Sequence, residues 1–285
     1  MKRIMVAGLV ALAIASASAQ DRPSFEVASV KPNKSGDNRI MLGMQPGGRF
    51  TANNVTLRML IRQAWLLQDF QIVGGPGWLG SDRFDIVAKA EGNPAPTPPG
   101  GPPGPLVLML QSLLAERFKL AVHTEMREMP IYALTLARSD GRLGPQLKKS
   151  DVGCAALAGA RGRGAGQAPF PLTERPMCGT RIGPGMLASG AVSLSLLASN
   201  ISIFVQRTVV DKTGLAGNFD IDLTWTPDQI PQGPPPPGAP PLPPIDPNGP
   251  SIFTAVQEQL GLRLESQKGP VEIIVVDRAE RPSEN

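Results

Sequence analysis

Gly48-Arg-Phe-Thr-Ala-Asn-Asn-Val55-Thr-Leu57-Arg-Met-Leu60 aligns without a gap on Gly185-Met-Leu-Ala-Ser-Gly-Ala-Val192-Ser-Leu194-Ser-Leu-Leu197, 137 residues further along the chain. Each stretch runs from a glycine through an extended segment to a hydroxyl residue ahead of leucines at helical spacing. Three more matches follow in the same order. Phe84-Asp85-Ile86 recurs as Phe219-Asp220-Ile221, and Phe118-Lys119-Leu120 aligns with Leu262-Arg263-Leu264. Pro130-Ile-Tyr-Ala-Leu-Thr-Leu-Ala-Arg138 aligns with Pro270-Val-Glu-Ile-Ile-Val-Val-Asp-Arg278. One such match is weak, but four in the same order argue for an internal duplication.

Local periodicity assigns the same elements to both halves. Leu57, Leu60, Ile61, Ala64 and Trp65 fall at helical spacing behind Thr56, a residue suited to an N-cap, and Leu194, Leu197 and Ile201 are their counterparts. Phe84, Ile86 and Ala88 alternate with Asp85, Val87 and Lys89, and Phe219, Ile221, Leu223 and Trp225 alternate with Asp220, Asp222 and Thr224, as half-buried strands do. Leu106 to Phe118 and Ser251 to Leu260 read as second helices. Each is followed by strand, turn and strand: Lys119 to Thr124 with Ile131 to Ala137, then Arg263 to Ser266 with Val271 to Asp277. Phe25 to Lys31 forms an extra leading strand. The expected fold class is α+β, two sequence-related halves with helices packed on mainly antiparallel sheets, because hairpin-length links dominate.

Composition supplies the punctuation. The 285 residues include 31 glycines and 31 prolines, together about a fifth of the chain against a usual share of roughly 12%. Seven prolines lie in the fourteen residues 92–105, and eleven in the twenty residues 231–250. Such runs cannot enter a helix or a sheet interior, so they read as spacers. The first half is thus 20–149 with its spacer 92–105. A Gly/Ala-rich connector, 150–184, carries both cysteines, and the second half is 185–285 with its spacer 231–250.

The first nineteen residues read as a signal peptide. Lys2 and Arg3 precede the apolar stretch Ile4 to Ile14, and Ala17-Ser18-Ala19 is a small-residue cleavage site, so the cut is expected after Ala19. Export to the periplasm or beyond follows, with no transmembrane anchor in the mature chain, since no apolar run reaches the ~20 residues a span needs. In an oxidising compartment Cys154 and Cys178 are expected to form a disulfide. The formal net charge of +4 includes Lys2 and Arg3. Arg161 with Arg163 and Lys148 with Lys149 form small groups rather than a stripe, so no nucleic-acid partner is expected.

Sequence motifs give little chemistry. Gly75-Pro-Gly77-Trp-Leu-Gly80 fits the bare dinucleotide-loop pattern, but Pro76 lacks a donor, Trp78 would crowd a phosphate, and a strand rather than a helix follows. It reads as a tight turn that inserts Trp78 and Leu79 into the core, and no cofactor is expected. One histidine and two cysteines argue against a histidine-based metal site. The common serine, zinc and penicillin-binding motifs do not occur. His123, the sole histidine, lies in an alternating strand and reads as an ordinary surface or half-buried residue. A carboxylate pair could serve a glycan hydrolase, with Asp82, Asp85, Asp211, Asp220 and Asp222 the candidates. Asp85 and Asp220 occupy equivalent positions opposite the apolar side of their strands, which suggests solvent-facing carboxylates with a structural cause.

Several longer strings carry a family resemblance: Phe25-Glu-Val-Ala-Ser-Val-Lys31-Pro-Asn, Asn54-Val-Thr-Leu-Arg-Met-Leu-Ile61, Gly74-Gly-Pro-Gly-Trp78-Leu, and Ser81-Asp-Arg-Phe-Asp-Ile86. So do Leu114-Ala-Glu-Arg-Phe-Lys-Leu120, Val210-Asp-Lys-Thr-Gly-Leu-Ala-Gly217, and Gly269-Pro-Val-Glu272 through Pro282-Ser-Glu-Asn285. In these the chain resembles an acidobacterial family of exported proteins of unknown function, whose domain also occurs fused to BlaR-like membrane metallopeptidases. The fused relatives imply, by analogy, a sensor or interaction module, and the resemblance supplies no catalytic residue to carry over. The leading expectation is a noncatalytic envelope module that binds an envelope protein or a small ligand. The rivals are a carboxylate-dependent envelope hydrolase acting on glycan and a purely structural secreted protein.

Overall fold

A computed structural model describes residues 22–37, 39–45, 47–92, 94, 102–154, 175–228 and 245–283. The signal peptide with its cleavage point after Ala19, most of the first spacer, residues 155–174 of the connector and residues 231–244 of the second spacer lie outside the described residues.

The 48–60 stretch folds as strand, bulge and helix. Strand β3 (Arg49–Thr56) runs into α1 (Leu57–Trp65), and Thr56 caps the helix by accepting from the N–H of Met59. The same sequence of events recurs 137 residues on. Strand β9 (Met186–Val192) leads into α3 (Leu194–Val205), and Ser193 accepts from the N–H of Leu196. Both strands kink at a non-glycine residue in the left-handed region, Asn54 at φ 56° and Ala191 at φ 50°. Both helices end on another, Leu66 and Gln206.

Around these lie β1 (Val27–Pro32), β2 (Met41–Gln45), β4 (Ile72–Gly74), β5 (Arg83–Lys89), α2 (Pro105–Arg117) and β6 (Ala121–Leu136). Then come β7 (Leu147–Ser150), β8 (Gly179–Gly183), β10 (Val209–Asp211), β11 (Asn218–Thr224), α4 (Ile252–Leu260) and β12 (Leu262–Arg278). The described strands form three four-stranded sheets. The first has the order β1-β5-β3-β2 and the third β7-β11-β9-β8, both antiparallel throughout. The middle sheet is β10-β6-β12-β4. Its long central pair is antiparallel, while β10 on β6 and β4 on β12 are parallel. The fold is therefore α+β with mainly antiparallel sheets.

The strands depart from the sequence expectations in several places. The strand–turn–strand segments after α2 and α4 are single long strands, β6 and β12, with no turn between. Pro130 and Pro270 fall where the turns were expected, yet both sit inside the ladder, Pro130 opposite Lys268 and Pro270 opposite Glu128. Tyr132 donates its N–H outward, to Thr208 of the segment leading into β10. Two residues earlier, the nitrogen of Pro130 points to the same outer side, where no ladder bond to β12 is lost. The pairing is also less local than hairpin links imply: β6 pairs with β12, and β1 with β5. Part of the stretch read as connector is sheet, since Ser150 closes β7 and β8 spans Gly179–Gly183.

Two main cores result. In the first, Phe50, Phe84 and Ile86 of the first sheet pack on Leu60 and Ile61 of α1 and Leu110 and Leu114 of α2. In the second, Phe219, Ile221 and Leu223 pack on Leu197 and Ile201 of α3 and Val256 and Leu260 of α4. The middle sheet feeds both: Ile274 and Val276 of β12 lie in the first core, and Leu134 of β6 lies in the second.

Candidate functional site

The carboxylates that could have served acid–base catalysis are held in the scaffold. At the kink of β3 the register with β5 slips between Ala52 and Val55, leaving two residues opposite Asp85. The carboxylate of Asp85 accepts the N–H of Asn54 at 2.9 Å and the side-chain amide of Asn33 at 2.8 Å. In the third sheet the slip falls between Phe219 and Ile221, opposite Asp220. Asp220 accepts the N–H of Ala191 at 3.0 Å, and Arg175 lies 3.6 Å from its other oxygen. A bulge leaves an extra backbone N–H without a ladder partner, and each aspartate supplies the acceptor. Both are half-buried rather than solvent-facing as the alternation suggested, because the bulge folds over the carboxylate.

The remaining aspartates are engaged as well. Arg281 reaches Asp82 at 2.7 Å and stacks over the Trp78 ring at 5.3 Å, which pins the chain beyond β12 to the 77–80 turn. Asp211 accepts from the N–H and hydroxyl of Thr213, forming the turn of the Asp-Lys-Thr-Gly string. Asp222 pairs with Arg175 at 2.6 Å. It lines a cleft of about 270 Å³ with Glu258, Gln146 and Thr224, so a carboxylate proposed from sequence meets another acidic residue at an opening.

His123 sits exposed with its Nδ1 2.9 Å from the Asp277 carboxylate. A serine triad needs a hydroxyl on the other ring nitrogen, and none is hydrogen-bonded there among the described residues. Cys154 and Cys178 are joined in a disulfide. Among the described residues no group of three His, Cys, Asp or Glu side chains could hold a metal ion, and no helix is long and apolar enough to cross a membrane. In the loop after β6, Asp140 has its carboxyl held below the usual range, first by the hydrogen bond from Arg138 and then by the N–H of Arg142.

A cleft of about 710 Å³ opens where the end of α1, the middle of α2 and the start of β6 meet. Trp65, Leu108 and Val122 give it an apolar wall, and Arg22 and Pro23 also line it. Its polar wall groups are committed: Gln111 donates to the Ala64 carbonyl at 2.8 Å, and the Ser112 hydroxyl to that of Leu108 at 3.2 Å. Such a site can hold an apolar or aromatic group against the indole. Among its described lining residues no acid–base pair is present, and its one hydroxyl, on Ser112, is bonded to its own helix.

A family model described as "Protein of unknown function (DUF3738)" matches residues 58–279, well over half of the chain. The chain belongs to the DUF3738 family. No curated protein and no solved structure matches it.

In this DUF3738 member the strings that carry the family resemblance do structural work. A Cβ on Gly75 would lie 2.3 Å from Leu79 and 2.9 Å from Val276, so the glycine lets the 77–80 turn close against β12. Leu79 is buried as expected, whereas Trp78 is half-buried, packed against the first core with Arg281 over its ring. Sequence reasoning missed the Trp65 cleft. Trp65 occupied an apolar helical position, and nothing local to it signals that the strand beginning at Ala121 leaves a gap beside it.

Proposed function

We propose that this DUF3738 protein is exported after cleavage behind Ala19 and works in the cell envelope as a noncatalytic module that binds a protein partner or small ligand. The observation that carries the reading is the Trp65 cleft, an opening with an aromatic wall. The Cys154–Cys178 bond supports residence in an oxidising compartment. The resemblance to a domain fused to BlaR-like membrane metallopeptidases supports a sensor or interaction role, carried on two related α+β halves.

The test is crosslinking in the native envelope followed by capture of the tagged mature protein, whose N-terminus mass spectrometry should place at Gln20. One component enriched in near-equal amount, and lost in a Trp65→Ala variant that melts normally, is expected. Capture unaffected by Trp65→Ala removes the cleft from the reading. Hydrolysis of envelope glycan that Asp222→Asn abolishes would replace binding with catalysis.

A further inference from the structure

The two long strands of the middle sheet each join one core to the other. β6 starts beside the first core, at Leu120 and Val122, and ends in the second, at Leu134 and Leu136. β12 runs the opposite way, from Leu262 and Leu264 in the second core to Ile274 and Val276 in the first. Neither core is complete without the far end of a strand that began at the other.

Their register has a centre at the pair Met129 and Gly269. One residue beyond the centre stand Pro130 and Pro270, each facing the strand opposite. Five residues beyond stand Leu134 and Ile274, the two side chains that enter the opposite core. At the centre a Cβ on Gly269 would lie 2.6 Å from the Ile131 side chain, so the glycine admits Ile131 across the axis. The flanking short strands are exchanged in the same sense: β4, which follows α1, lies on β12, and β10, which follows α3, lies on β6. Outside the middle sheet the orders β1-β5-β3-β2 and β7-β11-β9-β8 correspond strand for strand.

We infer that the chain is a fused pair of interlocking units, residues up to β6 and residues from β7 onward, and that the long-strand surface of each is an interface whose partner is another unit of the same kind. In the intact chain that partner is the second unit of the same molecule. When the join between β6 and β7 is opened, a unit from a second copy of this chain fits the same surface. The strand exchange ties the units together through backbone ladder bonds as well as apolar burial, so neither unit can leave without opening the middle sheet.

The test uses the full chain with a protease recognition sequence inserted between Asp140 and Gly141, exposed positions in the loop after β6. Both cysteines lie on the second piece, so the disulfide does not hold the pieces together. After cutting, the pieces should co-elute as one particle of the intact mass. Unfolding the cut protein with a differently tagged cut copy, then refolding, should yield hybrids in statistical proportion. Pieces that separate on native chromatography and each keep their circular dichroism spectrum would overturn the inference.

If the insertion prevents folding, the uncut chain decides through its tryptophans. With Trp225→Phe, Trp65 and Trp78 report the first unit; with Trp65→Phe and Trp78→Phe, Trp225 reports the second. Coincident denaturation midpoints are expected, and two separated transitions would overturn the interlock.

Discussion

Asp85 and Asp220 show how one side chain can look catalytic in sequence and be structural in space. Each accepts the backbone N–H of the residue that kinks the neighbouring strand, at 2.9 Å from Asn54 and 3.0 Å from Ala191. Removing the acceptor leaves a bulge N–H unpaired, which costs about 1–3 kcal/mol. Asp85→Ala and Asp220→Ala should each lower stability by that amount, read as a shift of the urea midpoint, with no change of fold by circular dichroism. A glycine gives a sharper contrast. A Cβ on Gly190 would lie 1.9 Å from the Pro176 carbonyl, whereas one on Gly214 meets open space. Gly214→Ala should cost only about 1 kcal/mol, from its left-handed backbone. Gly190→Ala should cost more, because the 176–177 segment must lift off β9, and exchange of the β8 amides should report this.

Elements followed local pattern where their partners were near and departed from it where they were not. The helices and alternating strands were legible because their apolar spacing records which face is buried: Leu57, Leu60, Ile61 and Ala64 are all buried in α1, and Phe84, Ile86 and Ala88 in β5. The middle of β6 was not legible. Proline and polar residues there resemble a turn, and only the distant strand β12, with Gly269 opposite Met129, makes it sheet. The cysteine pair belongs to the same scale. Cys154 follows β7 and Cys178 precedes β8, so the bond clips together the approaches to the two edge strands of the third sheet. With a sequence separation of 24, reduction should lower stability by roughly 3 kcal/mol on the chain-entropy account. Denaturation with and without reductant measures it, and the loss should fall on the Trp225 signal together with that of Trp65 and Trp78 if the units are coupled.

At the scale of the molecule, the cores depend on residues far away in sequence. Ile274 lies near the end of β12, yet it is buried in the core beneath the first sheet and α1. Ile274→Ala should therefore cost about 2–5 kcal/mol and destabilise the environment of Trp65 and Trp78, which lie about two hundred residues earlier in the sequence. A Leu134→Ala variant should do the same to the surroundings of Trp225. Equal and simultaneous loss at all three tryptophans is the expected pattern, and fluorescence-detected unfolding of single-tryptophan variants checks it.

The α+β class, the helices and most short strands were readable from residue order alone. These are consequences of local spacing, since an amphipathic period records burial whatever the partner is. The tertiary structure alone decided that β6 and β12 are continuous, that each completes the core at the other's origin, and that Asp85 and Asp220 serve bulges rather than solvent. It also decided that a cleft opens beside Trp65. Each of these depends on which distant strand arrives opposite a given residue, and a chain's local pattern specifies a buried face without naming what will cover it.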